Sequence, residues 1–197
     1  MTLSRLLLLP VVAIILCACP YESAVPLAAR PAEAIDSSLI GYWYGIVKDG
    51  SDYFGIEALE IDKETDSTYT ITRYGKAVKG DIILPDTSYF TGYISHLGDQ
   101  RFMNIEGSVV ITTLRGKKPP EITVQKVFYL SNLGRSNDTL TVKTITEKFT
   151  PTRKTITDPG MLEREVRQML GQGRNIYDDL YSLSYRKIQK PKPLKAF

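Results

Sequence analysis

A chain of 197 residues, 43% hydrophobic and 24% charged, has the size and composition of one globular domain with a small appendage. Its net charge of +3 gives no ground for nucleic-acid binding, and two cysteines with a single histidine cannot complete a thiolate–imidazole zinc set. The charge is unevenly placed. Residues 151–197 carry 10 Lys and Arg against 5 Asp and Glu (+5), whereas residues 19–150 carry 14 against 17 (−3), so a mildly acidic body precedes a basic C-terminal stretch.

Near the start of the chain, Arg5 precedes the apolar run Leu6–Leu16, broken only by Pro10. These 11 residues fall well short of the roughly 20 needed to span a bilayer and match the apolar region of an export signal. The only cysteines, Cys17 and Cys19, follow directly. A disulfide between them would close a strained ring around one residue. The stretch Leu16-Cys17-Ala18-Cys19 instead resembles the lipobox of bacterial lipoproteins, with an aliphatic residue three before the modified cysteine and a small one just before it. The resemblance implies cleavage after Ala18, acyl chains on Cys19, and loss of Cys17 with the signal peptide of residues 1–18. It also implies a lipid-anchored, periplasm-facing protein of the bacterial cell envelope. Pro20 stands where an Asp-type inner-membrane retention signal would place Asp, which favours the outer membrane where the host has one. Pro20, Pro26 and Pro31, scattered among Ala, Ser and Glu, predict that residues 19–37 form a flexible, extended tether.

From Leu39 to Pro151, strand-like runs alternate with Gly, Pro, Asp and Asn. The first run is GYWYGIVK (41–48), and the second is YFGIEALEID (53–62). In the second run Ile56 and Ala58 share one face while Leu59 and Ile61 share the other, a phase slip that predicts a bulge. In TYTITRYGK (68–76), Tyr69, Ile71 and Arg73 alternate with Thr70, Thr72 and Tyr74. DIIL and YFTGYIS flank Pro85-Asp86, and RFMNIEGSVVITTL (101–114) is one bent strand or two with Gly107 as the break. ITVQKVFYL (122–130) and TLTVKTITEKF (139–149) complete the set, joined by the hairpin-like SNLGRSND. The gaps are too short for the crossovers that parallel strands need, so the sheet is antiparallel and mostly up-and-down.

The stretch Leu39-Ile40-Gly41-Tyr42-Trp43 resembles the L-x-G-x-W start of lipocalin-like barrels, and Phe128-Tyr129-Leu130 with Asp138 to Val142 is similar to the paired end strands of lipocalin-like bacterial lipoproteins. The resemblance implies that Trp43 closes one end of the barrel beside its first strand, packed on a basic side chain, for which Arg153 is the best-placed candidate. About eight strands enclose an interior just wide enough for side chains or one small ligand.

Beyond the strands, Asp158 and Pro159 open a helix as cap and first residue, and Leu162, Val166, Met169 and Leu170 form one apolar stripe. Glu163 and Arg167 make an i,i+4 pair. Tyr177, Leu180, Tyr181, Ser184 and Ile188 suit a second short helix, or a strand, before a mobile tail with Lys187, Lys190, Lys192 and Lys195. Neither a G-x-S-x-G, a P-loop nor an H-E-x-x-H motif occurs, and His96 stands alone. The expected fold is mainly β: an antiparallel up-and-down barrel of about eight strands over residues 38–151, followed by a C-terminal helical appendage with a basic tail over 152–197. The expected function is non-catalytic binding, with neither cofactor nor metal. Its expected partners are the membrane, through the lipid anchor, and a small apolar ligand or an envelope protein. A passive assembly lipoprotein and an envelope enzyme with dispersed carboxylates are the alternatives.

Overall fold

The computed structural model describes residues 20–49, 53–79, 82–113, 119–152 and 155–191. Residues 1–18, expected to form a signal peptide, lie outside the described residues, as do Cys19 and Arg153. The strands are β1 (Gly41–Asp49), β2 (Tyr53–Lys63), β3 (Tyr69–Lys79), β4 (Ile82–Leu97), β5 (Gln100–Thr113), β6 (Glu121–Ser136), β7 (Thr139–Ile145) and β8 (Tyr177–Ile188). The helix α1 (Pro159–Gly171) lies between β7 and β8. All neighbouring strands are antiparallel, and β8 pairs with both β7 and β1, so the sheet closes into an up-and-down barrel.

The eighth strand therefore comes from the segment expected to form the appendage, and the barrel does not end at Pro151. In LSYRK (183–187), Leu183, Tyr185 and Lys187 occupy inward positions, while Ser184 and Arg186 are exposed. This period of two overrides the weaker helical spacing because the unpaired edges of β1 and β7 supply partners on both sides. Nor are all the tail lysines free. Lys187 lies within β8, and Lys190 is ion-paired with Glu60. The expected bulge in β2 is absent, since β1 and β2 pair without a slip from Gly41↔Ile61 to Asp49↔Tyr53. The apolar phase change arises instead because Leu59 and Ile61 face inward while Ile56 stands exposed on the outer face. The strand signal on either side of Pro85 merges into one strand, with the proline where β4 is flanked by β3 alone. β5 likewise runs through Gly107 unbroken.

One apolar core fills the closed end of the barrel. Leu39, Trp43, Ile61, Tyr69, Ile71, Ile94, Met103, Leu140 and Tyr185 pack together in it. Trp43 plugs the closed end, its Nε1 donating to the Leu39 carbonyl at 2.8 Å. Lys187 Nζ lies 5.2 Å from the centre of the Trp43 rings and donates to the Ser38 carbonyl at 3.0 Å. The basic partner of Trp43 among the described residues is thus a lysine of the last strand. Gly41 makes this closure possible: its φ of +137° disfavours a side chain, and a Cβ there would sit 2.8 Å from Lys187 Cε.

A second core lies outside the wall. The α1 stripe (Leu162, Val166, Met169) packs on Phe102, Leu130 and Ile145 together with Phe149 and Leu27. Asp158 caps α1 through Met161 N at 2.9 Å, and Glu163 pairs with Arg167 at 2.6 Å. Leu27 belongs to the stretch expected to be a loose tether, and here the structure corrects the expectation. Pro20 bridges Thr146, Ser23 pairs with Phe128 on β6, and the Leu27 amide donates to Asn104 Oδ1 at 2.6 Å. Ala32 N then bonds the Ile94 carbonyl, and Glu33 pairs with Arg101 and His96. Residues 20–37 form a strap over the barrel because their proline-rich backbone finds donors and acceptors on the wall and buries Leu27.

Truncating the stripe should undock α1. We expect Leu162→Ala to lower stability by about 2–5 kcal/mol, read from the urea unfolding midpoint. The strap ends on Asp36. Burial alone would raise this carboxyl, but hydrogen bonds from Ser38 and from the Arg101 guanidinium outweigh it and hold Asp36 below the ordinary carboxylate range. A depressed carboxylate stabilises the fold above its unfolded pKa of about 4 and loses that contribution as pH falls through the folded value. The gap in urea midpoint between the wild type and Asp36→Asn should therefore be full at pH 7 and shrink on acidification.

Candidate functional site

The two ends of the barrel are built differently. At the closed end every strand finds its neighbour. Toward the other end the β2–β3 ladder stops at Ala58↔Tyr74 and the β4–β5 ladder at Thr91↔Glu106. Past those points β1–β2, β3–β4 and β5–β6 continue as separate two-stranded hairpins, so the barrel flares into a split mouth. The β4–β5 split is a cleft of about 410 Å³ lined by Ser88, Tyr89, Phe90, Thr91, Glu106, Gly107 and Ser108. Phe90 and Tyr129 meet edge to face behind it, with ring centres 6.2 Å apart.

Above the apolar floor the inward positions become polar. Glu57 on β2, Arg73 on β3, Asp86 on β4 and Tyr185 on β8 meet inside the barrel. Arg73 Nε donates to Glu57 Oε2 at 2.7 Å, its second terminal nitrogen lies 2.6 Å from the same oxygen, and Nη1 donates to Asp86 Oδ2 at 3.3 Å. The Tyr185 hydroxyl donates to Glu57 Oε1. The Tyr185 ring lies across Gly45 of β1, where a Cβ would come within 2.8 Å of it. Glycine at this position is what lets the ring reach Glu57.

Burial works against the Arg73 charge, but the Glu57 carboxylate outweighs it and raises the guanidinium pKa. Burial first, and then the Glu57 charge, push the Tyr185 phenol far above its ordinary range, so it stays protonated and donates. Glu57 is almost wholly enclosed, whereas the Arg73 and Asp86 side chains are 37% and 42% exposed although they face inward. The mouth is therefore open down to this cluster. Both Glu57 oxygens accept from protein donors and Asp86 Oδ2 faces Arg73. The Arg73 guanidinium and the Asp86 carboxylate thus stand at the mouth side as a donor and an acceptor.

Of the residues singled out from sequence, Trp43 lies at the barrel's closed end, in the layer below the polar cluster: it is paired with Leu59, two positions from Glu57, and packs in one core with Tyr185. Arg153 and Cys19 lie outside the described residues. His96 is on the surface, 2.8 Å from Glu33 Oε2. Sequence reasoning missed Glu57, Asp86 and Tyr185. Arg73 carried a readable signal, because it shares the face of Tyr69 and Ile71 and thus sits at an inward phase. Among the described residues there is no cluster of side chains that could hold a metal ion, and no helix is long and apolar enough to cross a membrane. The chain matches no protein-family model, no curated protein and no solved structure.

The cluster should behave as one unit. Arg73→Met leaves the enclosed Glu57 without its cation and should cost about 3 kcal/mol, the lower end for breaking a buried pair, because Arg73 is partly solvated. Adding Glu57→Leu should recover part of that loss, measured as the change in urea midpoint of the double variant over the single one.

Proposed function

We propose that the chain is a lipid-anchored protein of the bacterial envelope, held by acyl chains on Cys19, whose barrel binds a small, largely apolar ligand entering through the flared mouth. The observation that carries the binding part is the change along the inward face from a packed floor to exposed polar side chains. The floor is packed, yet inward-facing Arg73 and Asp86 above it remain accessible. Phe90, Ile105, Tyr129 and Leu183 offer apolar walls at partly buried positions, and the Arg73–Asp86 pair offers a donor and an acceptor for one polar end. Sites of this kind, apolar with a few fixed polar groups at a barrel mouth, are where small molecules bind. The anchoring part is supported by Leu16-Cys17-Ala18-Cys19 behind the apolar run. More than one acyl chain is needed for durable attachment, which is what a lipobox cysteine receives.

The split wall favours a second reading, an envelope partner protein. Past Thr91↔Glu106, β4 and β5 each have an edge that pairs with no strand among the described residues, and an extended peptide could add to either. Growth with labelled palmitate should mark the wild type and not Cys19→Ser; label that survives the substitution removes the anchor. Native mass spectrometry of the exported protein should show a co-purified small molecule that is lost in Ile105→Trp, which fills the lumen. An empty wild-type barrel leaves the partner reading alone.

A further inference from the structure

Eight large hydrophobic residues stand exposed among the described residues: Ile46, Ile56, Tyr89, Val110, Ile111, Ile122, Val124 and Ile188. All but Ile188 lie on the three hairpins of the mouth. Ile46 and Ile56 are directly opposite one another on β1–β2, as are Val110 and Val124 on β5–β6, with Ile122 one position along the same outer face from Val124. The apolar surface is thus spread around a rim rather than gathered in one patch. Isolated two-stranded ribbons are marginal in water, and the large apolar side chains named above stand exposed on these.

We infer that the rim seats on a phospholipid bilayer, dipping its outer apolar side chains into the headgroup–acyl boundary so that the mouth opens toward lipid. A planar, fluid partner matches side chains dispersed over three separate hairpins, whereas a protein knob would need one contiguous patch. The strap supplies the second argument, which rests on the Cys19 anchor proposed above. Ser23 is fastened to Phe128, one residue from the Gly107↔Val127 pair where the β5–β6 hairpin leaves the wall. Four residues from Cys19 to Ser23 span at most about 14 Å, so an acylated Cys19 holds the membrane within that distance of the hairpin's root. The six steps from Gly107 to Thr113 reach about 20 Å, far enough to enter it.

Trp43 is the chain's only tryptophan and is buried, so its emission, recorded on the wild type under the same conditions, is a single background to subtract from that of each variant. The test is the full chain carrying Val124→Trp, reconstituted on phosphatidylethanolamine–phosphatidylglycerol vesicles, beside the same chain carrying Ile188→Trp at the closed end. The rim assignment expects Trp emission at 124 to shift to shorter wavelength and to be lost to brominated acyl chains, while that at 188 does neither. Emission at 124 that stays aqueous on vesicle-bound protein overturns it, and so does quenching at 188 instead. A concentration-dependent shift at 124 without vesicles would assign the rim to a second copy and overturns it too. Palmitate labelling separates the two readings. Quenching at 124 without label at Cys19 removes the anchor and keeps the rim, and label with an aqueous Trp at 124 does the reverse.

Discussion

Four residue pairs, Tyr42↔Ile188 through Gly45↔Tyr185, make a barrel out of what would otherwise be a curled sheet. Without them β1 and β8 would each present a row of unpaired amides and carbonyls, which is the usual route by which β proteins stick to one another. The closure also places side chains. It brings Lys187 over Trp43 at the floor and Tyr185 onto Glu57 in the lumen. The plug and the polar cluster therefore depend on the same short ladder, and the two glycines beneath it, Gly41 and Gly45, are small because those side chains occupy the space above them.

The outer wall follows a similar economy of contacts. Closing a barrel satisfies the backbone but leaves an apolar outer face on β5, β6 and β7, and the α1 stripe and Leu27 of the strap cover it from two directions. Covering stops at the mouth. There the hairpins separate and the outer face is left to the surroundings, with Glu106–Lys126 as the charged pair at the root of the β5–β6 hairpin. Filled floor, covered wall and bare rim give the barrel a direction along its axis.

Much of this fold was legible in the sequence. Strand alternation, the turn residues and the absence of crossovers were enough for an antiparallel up-and-down barrel, and Asp158, Pro159 and the apolar stripe were enough for α1. Three features were not legible, for physical reasons. The eighth strand was hidden because Tyr177 to Ile188 carries both periodicities, and only the open edges of β1 and β7 choose between them. The strap was hidden because proline-rich composition reports backbone preference and not the wall against which the backbone lies. The phase slip at Ile56 was visible and misread, since a bulge and an uncovered outer face leave the same pattern in a strand. At the candidate site, Arg73 could be seen at an inward phase, but its partners Glu57 and Asp86 lie 16 and 13 positions away in the chain, Tyr185 bonds Glu57 from 128 positions away, and no local pattern links them.

The order of the strands also governs how the molecule is made. β1 is the first of the eight strands to leave the ribosome, and its second neighbour, β8, is the last of them, separated from it by well over a hundred residues. Hairpins β1–β2, β3–β4 and β5–β6 close over short loops and can form early, while the joining of residue 42 to residue 188 requires nearly the whole chain. Until then the nascent sheet carries two open edges, so the interval between synthesis of β7 and of β8 is the period in which it is most exposed to mispairing. The helix and loops of residues 146–176 fill that interval, and their length sets how long the edges wait.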